Sequence, residues 1–194
     1  MLLKMQGITK SFPGVKALDK VDLELDVSQV IALLGENGAG KSTLMKILGG
    51  IYSKDSGKIF LNGKEVEINS PRQSLEYGIG IIHQELSLLP HLSVMENIFL
   101  GREMVNSFKK IDWGYMKSIK ILSDLGVKNI DVTKPVKNYS IAIGQMVEIA
   151  RVLSMDCKII VMDEPTDTLT SQETEFLFDV IRTLKKEGRG IIYI

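Results

Sequence analysis

Apolar residues along this chain gather in short runs, separated by glycines, prolines and charged clusters. Runs of four or five predict buried strands, and apolar positions three and four apart over longer stretches predict helices. The beginning reads mostly as β. Residues 2–8, 21–25 and 30–34 are expected strands, with Pro13-Gly14 breaking the first two apart and residues 26–29 turning the chain. Val21-Asp22-Leu23-Glu24-Leu25 alternates as a half-exposed strand should. Residues 57–61 predict another strand, closed by the hairpin pair Asn62-Gly63. Ser70-Pro71 predicts a short helix with Ser70 as N-cap, ended by Gly78. Residues 80–84 then read as a strand running out into polar residues.

The middle of the chain changes character. Ser93-Val94-Met95-Glu96 is a capping box for a helix to about Leu100. Asp112 is expected to cap a helix over 113–125, with Met116, Ile119, Leu122 and Leu125 on its apolar face and Gly126 at its end. Lys109, Lys110, Lys117 and Lys120 read as a solvated face. A third helix is expected over 144–154. The sheet then resumes at 158–164, a buried strand ending in Asp163 and Glu164. Thr170 or Ser171 caps a long helix to about Glu187, which Gly188 stops, and residues 190–194 begin another strand. Because the chain stops inside that strand, a longer protein is expected.

The pattern predicts an α/β fold in one domain, residues 1–194. Its core, residues 1–85 and 156–194, is a mostly parallel sheet with an N-terminal antiparallel β layer. A helical subdomain, residues 86–155, is inserted.

The strongest candidate chemistry is Gly35-Glu36-Asn37-Gly38-Ala39-Gly40-Lys41-Ser42-Thr43, which fits the G-x-x-x-x-G-K-[ST] pattern of a P-loop. An expected strand precedes it and an expected helix follows, the context in which glycine N–H groups and a helix N-terminus cradle phosphate. Lys41 can reach β- and γ-phosphates, and the Ser42 hydroxyl can ligate Mg²⁺. Four apolar residues followed by Asp163 match the Walker-B arrangement, which places a carboxylate near the P-loop for Mg²⁺. Glu164, one residue on, suits a general base or a positioner of attacking water. Gln84 ends its strand where a polar side chain can touch Mg²⁺ or that water. Phe12 is placed on a loop, either stacking on an adenine ring or anchoring the loop. His83 reads as structural and His91 as exposed loop.

Bulk composition narrows the partners. Lys+Arg and Asp+Glu both number 24, so the net charge is zero, which argues against a strongly nucleic-acid-binding surface. The single cysteine, Cys157, excludes an intramolecular disulfide and reads as a buried thiol, fitting a reducing cytoplasm. No apolar stretch approaches membrane-spanning length, so a membrane role must act through a partner.

Taken in order, the P-loop, Gln84, the helix start around Gln145 and the Asp163-Glu164-Pro165 strand end resemble an ABC-type ATPase across essentially the whole chain. Ile8-Thr9-Lys10-Ser11-Phe12-Pro13-Gly14-Val15-Lys16-Ala17-Leu18, Gly78-Ile79-Gly80-Ile81-Ile82-His83-Gln84-Glu85-Leu86, Asn97-Ile98-Phe99-Leu100-Gly101-Arg102-Glu103, Ile111-Asp112-Trp113 and Asp163-Glu164-Pro165-Thr166-Asp167 resemble the monosaccharide importer ATPases, the ribose-type members in particular. That resemblance implies ATP and Mg²⁺ as cofactors, adenine stacking by Phe12, and catalytic roles for Lys41, Gln84 and Glu164. It also implies a second ABC domain in tandem or as a dimer, a membrane permease, and a sugar-binding protein acting indirectly. The place of work would be the cytoplasmic face of a bacterial membrane. The family's signature, close to L-S-G-G-Q, would hold ATP across the dimer. Here the ungapped equivalent is Tyr139-Ser140-Ile141-Ala142-Ile143, with Ala142 for a glycine, Ile143 for the polar residue, and Gly144 available to a shifted register. Side chains where backbone must approach phosphate are expected to weaken closure. The family's switch histidine would follow Ile194. The chain as given is therefore expected to bind ATP better than it hydrolyses it. The alternative is a regulatory or degenerate half-site, and a soluble ABC protein acting on DNA or ribosomes is a third reading.

Overall fold

The computed structural model describes residues 1–36, 38–84, 86–102, 110–166 and 169–194. They form two compact units. The first comprises Met1–Ile81, Cys157–Glu164 and Leu184–Ile194; the second comprises Ile82–Asp156 and Pro165–Thr183.

The first unit is built on two sheets. In the antiparallel one, β1 (Leu3–Phe12), β2 (Val15–Leu25), β4 (Ser56–Leu61) and β5 (Lys64–Val66) lie in the order β2-β1-β4-β5. In the other, β3 (Val30–Ala32), β6 (Ile79–Ile82), β7 (Ile159–Met162) and β8 (Gly190–Tyr193) lie in the order β3-β8-β7-β6, with β8 parallel to both β3 and β7. Two helices complete the unit, α1 (Lys41–Leu48) and α2 (Pro71–Glu76).

One apolar core joins the two sheets. Leu3, Met5, Leu25 and Ile59 of the antiparallel sheet share it with Ile159, Val161 and Ile192 of the parallel strands and with Ile47 and Leu48 of α1. Each such side chain, fully buried, contributes about 1.5–3 kcal/mol of transfer free energy. The approach is close enough that a Cβ on Gly190 would lie 2.8 Å from Leu25 and 2.9 Å from Leu2.

Several expected boundaries move. Pro13-Gly14 does not separate two short strands. It is the two-residue turn of one long hairpin, because Phe12 pairs with Val15 across it. Phe12 therefore ends β1 instead of sitting on a loop. The expected strand over 57–61 joins the antiparallel sheet through the Leu3↔Leu61 pairing, whereas Val30–Ala32 joins the parallel one. Strand β6 ends at Ile82, before His83 and Gln84, and β7 ends at Met162, before Asp163. Local turn chemistry holds as expected. Asn62 and Gly63 both take positive φ, the left-handed pair that a tight hairpin turn requires, and Ser70 accepts the Gln73 N–H to cap α2.

The second unit carries α3 (Val94–Ile98), α4 (Lys110–Asp124), α5 (Ile141–Leu153) and most of α6 (Ser171–Lys186). The Ser93/Glu96 capping box is complete: Ser93 N–H donates to Glu96 at 2.7 Å and Glu96 N–H donates to Ser93 Oγ at 3.2 Å. Thr170 and Glu173 form a second such box ahead of α6. Asn97 is fully buried with every polar atom used. Its amide donates to the carbonyls of Leu89, Leu92 and Ser93, and its oxygen accepts from Leu89 N–H. Asp112 lies within α4 and is not its cap. Met116 is 64% exposed, so the expected apolar face is rotated; Gly114, Ser118, Leu122 and Leu125 form the buried stripe. Helix α5 begins at Ile141, ahead of the expected 144, because Ser140 caps it. Lys117 lies over the Phe99 ring at 5.8 Å and Lys120 is exposed; Lys109 falls outside the described residues.

Candidate functional site

Parallel strands β3 and β7 both point their C-terminal ends to one edge of the sheet, with β8 between them. The P-loop follows β3 and the Asp163-Glu164 pair follows β7, so topology delivers both motifs to the same edge. That is where open α/β sheets bind ligands.

The loop is shaped by left-handed glycines. Gly38 has φ 86° and Gly40 has φ 92°. Gly40 caps α1 with no side-chain hydrogen bond, and Ala39 N–H donates to Glu36 O at 3.1 Å. A Cβ at Gly40 would meet Ala17 O at 2.5 Å and Leu18 Cδ2 at 2.9 Å, so the site demands glycine both for conformation and for space. The N-terminus of α1 is consequently left to main-chain N–H groups, the chemistry that suits a phosphate. Lys41 Nζ donates to Gly35 O at 2.7 Å and Glu36 O at 3.0 Å, which holds its ammonium over the loop. Ser42 is exposed and Thr43 half-buried at the start of the helix. Asn37 of this motif lies outside the described residues, as do Glu85, Glu103 and Asp167 of the resembling segments.

The strand feeding the carboxylates is wholly buried from Ile159 to Met162, and the chain emerges at Asp163 and Glu164, both half-buried. Glu164 has φ 45°, uncommon for a residue with a side chain. The turn is held by Ile194 N–H donating to Met162 O at 3.0 Å and Glu164 N–H donating to Ile194 O at 3.2 Å. Strain of this kind collects at functional sites.

Phe12 sits in the same unit, half-buried, with its ring centroid 5.3 Å from that of Tyr52 in an edge-to-face arrangement. Gln84 and the signature residues belong to the second unit. Gln84 is exposed, as are His83 and His91. The Ser140 hydroxyl accepts from Ile143 N–H at 3.4 Å, and Ala142 and Ile143 are half-buried in the first turn of α5. Gly144 is buried, where a Cβ would meet Leu86 Cδ1 at 3.0 Å.

The second unit also holds a cluster that sequence reasoning missed. Glu148, only 4% exposed, accepts the Ser87 N–H at 2.7 Å, and Arg151 reaches the Ser87 carbonyl at 3.5 Å. Burial pushes the Glu148 carboxyl above its ordinary range, opposed by the Ser87 hydrogen bond and by the Arg151 and His83 charges. Helix α5 is apolar nearly all round, so its interior Gln145 and Glu148 had to find buried partners or go without. Two polar residues inside an otherwise apolar helix are the sequence signal for such a cluster. Gln145 Nε2 is buried and has no hydrogen-bond partner among the described residues. Cys157 is a buried thiol, as expected.

Comparison with known proteins bears directly on these motifs. A family model described as ABC transporter matches residues 18–167. The Ribose import ATP-binding protein RbsA of Caldanaerobacter subterraneus subsp. tengcongensis is 58% identical over 100% of this chain and 39% of its own length. The chain thus spans about two fifths of that curated relative. Among solved structures, the ADP conformation of MJ1267, described as an ATP-binding cassette of an ABC transporter, superposes with TM-score 0.87 at 26% identity, over 100% of this chain and 80% of the other. cbiO1 from Clostridium perfringens, described as part of the ABC transporter complex cbiONQ, gives TM-score 0.83 at 26% identity, over 100% and 77%.

Proposed function

The chain belongs to the ABC transporter family, and from that premise we propose that it is the ATP-binding and hydrolysing part of an importer for a monosaccharide of the ribose type. The observation that carries this reading is the 58% identity to a ribose import ATP-binding protein along the entire chain, P-loop included.

The geometry supports the following division of roles. The main-chain N–H groups around Gly38, Ala39 and Gly40 bind the triphosphate, and Lys41 exchanges its loop carbonyls for phosphate oxygens. Ser42 and Asp163 supply hard oxygen donors of the kind Mg²⁺ prefers. Mg²⁺ commonly keeps several waters and takes one or two protein donors beside substrate phosphates. When bound, Mg²⁺ neutralises charge on the phosphates. Glu164 orients and deprotonates the attacking water, and Gln84 reports nucleotide state to the second unit. Phe12 stacks on adenine. Ser140 and the residues after it meet the nucleotide of a second ABC domain in the ungapped register, a choice supported by the burial of Gly144 under Leu86. A permease and, through it, a sugar-binding protein complete the assembly at the cytoplasmic face of a membrane. No helix among the described residues is long and apolar enough to cross a membrane.

Two substitutions test the reading. Lys41→Ala is expected to weaken MgATP binding at least about a hundredfold in a calorimetric titration, the scale of losing charge-assisted hydrogen bonds. Unchanged affinity would remove the P-loop assignment. In the full importer, Glu164→Gln is expected to retain ATP and stop phosphate release; wild-type turnover would exclude Glu164 from the chemistry.

A further inference from the structure

The helix that leaves the P-loop also leads to the ring beside Phe12. Helix α1 ends at Leu48, and the chain turns so that the N–H groups of Ile51 and Tyr52 both donate to Lys46 O, at 2.8 and 3.1 Å. That turn places Tyr52 edge-to-face with Phe12, 5.3 Å between centroids at an interplanar angle of 69°. Tyr52 is half-buried and packs on the apolar core, so its own ring is held. Lys46 lies over Tyr52 and Lys10 over Phe12, each 5.6 Å from the ring centroid.

The backbone beneath Phe12 is tied to the same segment. Asp55 accepts the Ser11 N–H at 2.7 Å and the Lys10 ammonium at 2.8 Å, and Asp55 N–H donates to Thr9 O at 2.9 Å. Residues 9–12 at the end of β1 are thereby clamped by residues 52–55. Phe12 would otherwise stand at the tip of a hairpin, next to Pro13-Gly14, where a phenyl ring has rotamer freedom to lose before it can stack.

We propose that Tyr52 is a positioning residue for the nucleobase. By fixing the Phe12 ring from the end of the P-loop helix, it sets base and phosphate recognition in one rigid piece. The proposal rests on the adenine-stacking role of Phe12.

The test separates base from phosphate. The chain is titrated with ATP and with inorganic tripolyphosphate, which offers the phosphates without a base. Tyr52→Leu keeps apolar bulk in the core and removes the ring. It is expected to lower ATP affinity about threefold to tenfold, the scale of one aromatic pair, while tripolyphosphate affinity stays unchanged. Tyr52→Phe, which keeps the ring, is expected to restore ATP binding. Equal weakening of both ligands, or no weakening of ATP, would overturn the proposal. Phe12→Ala supplies the independent reading. If it leaves the ratio of the two affinities unchanged, adenine stacking fails and takes the proposal with it. If it lowers that ratio and Tyr52→Leu does not, only the role of Tyr52 is lost.

Discussion

Two helix N-termini in this protein have the same macrodipole and opposite surroundings. Ahead of α1 the chain has Gly38, Ala39 and Gly40; Gly38 and Gly40 are left-handed, and Gly40 at the N-cap brings no side chain to cap the helix. Ahead of α5 stands Ser140, whose own hydroxyl takes the Ile143 N–H, followed by Ile141, Ala142 and Ile143. The first end leaves its main-chain donors without a cap from the described side chains, and the second satisfies one of its own through Ser140. A dipole alone does not make a phosphate site; the residues before the first turn decide whether the donors can be reached.

The sharpest break of this contrast is a methyl group placed at each end. Gly40→Ala sets a Cβ 2.5 Å from Ala17 O in a left-handed backbone. It is expected to cost about 2–4 kcal/mol in urea denaturation and to abolish nucleotide binding. Gly144→Ala meets only the tips of two leucine side chains, Leu86 at 3.0 Å and Leu88 at 3.6 Å, and gains helix propensity. It is expected to fall within about 1 kcal/mol of wild type. A tolerated Gly40→Ala would show that the loop is not built around that glycine.

Next in size is the effect of making the second end resemble the first. Ala142→Gly with Ile143→Gln removes one side chain and turns another polar. In the assembled importer this pair is expected to raise the ATPase rate several-fold, read by phosphate release. No change would mean that the first turn of α5 does not face nucleotide in this register.

The smallest effect concerns the body of α5. Burial raises the Glu148 carboxyl above the ordinary carboxylate range, so the folded state holds that proton more tightly than the unfolded chain. Its contribution to stability is present below the ordinary carboxylate range and is lost as pH rises through the folded value. Glu148→Gln keeps an acceptor for Ser87 and has no charge to desolvate. Its stability relative to wild type is therefore expected to improve from pH 4 to pH 8. A difference independent of pH would mean that the carboxylate is not desolvated.

Features whose chemistry closes within a few residues were legible from the chain alone. The P-loop pattern, the Ser93/Glu96 capping box, the Ser70 cap, the Asn62-Gly63 turn and the buried Cys157 all belong here. Each partner sits within one turn of the other, or a side chain's own polarity is sufficient, so no tertiary contact was needed to anticipate it. Sheet membership, the exposure of Met116 and the partners of Phe12 and Glu148 belong to the tertiary structure. Asp55 lies 44 residues from the Ser11 it holds, and Glu148 lies 61 from Ser87. Periodicity tells which residues must be buried or paired. Only packing selects the pairs, because the free energy of a long-range contact depends on every element that brings its two ends together.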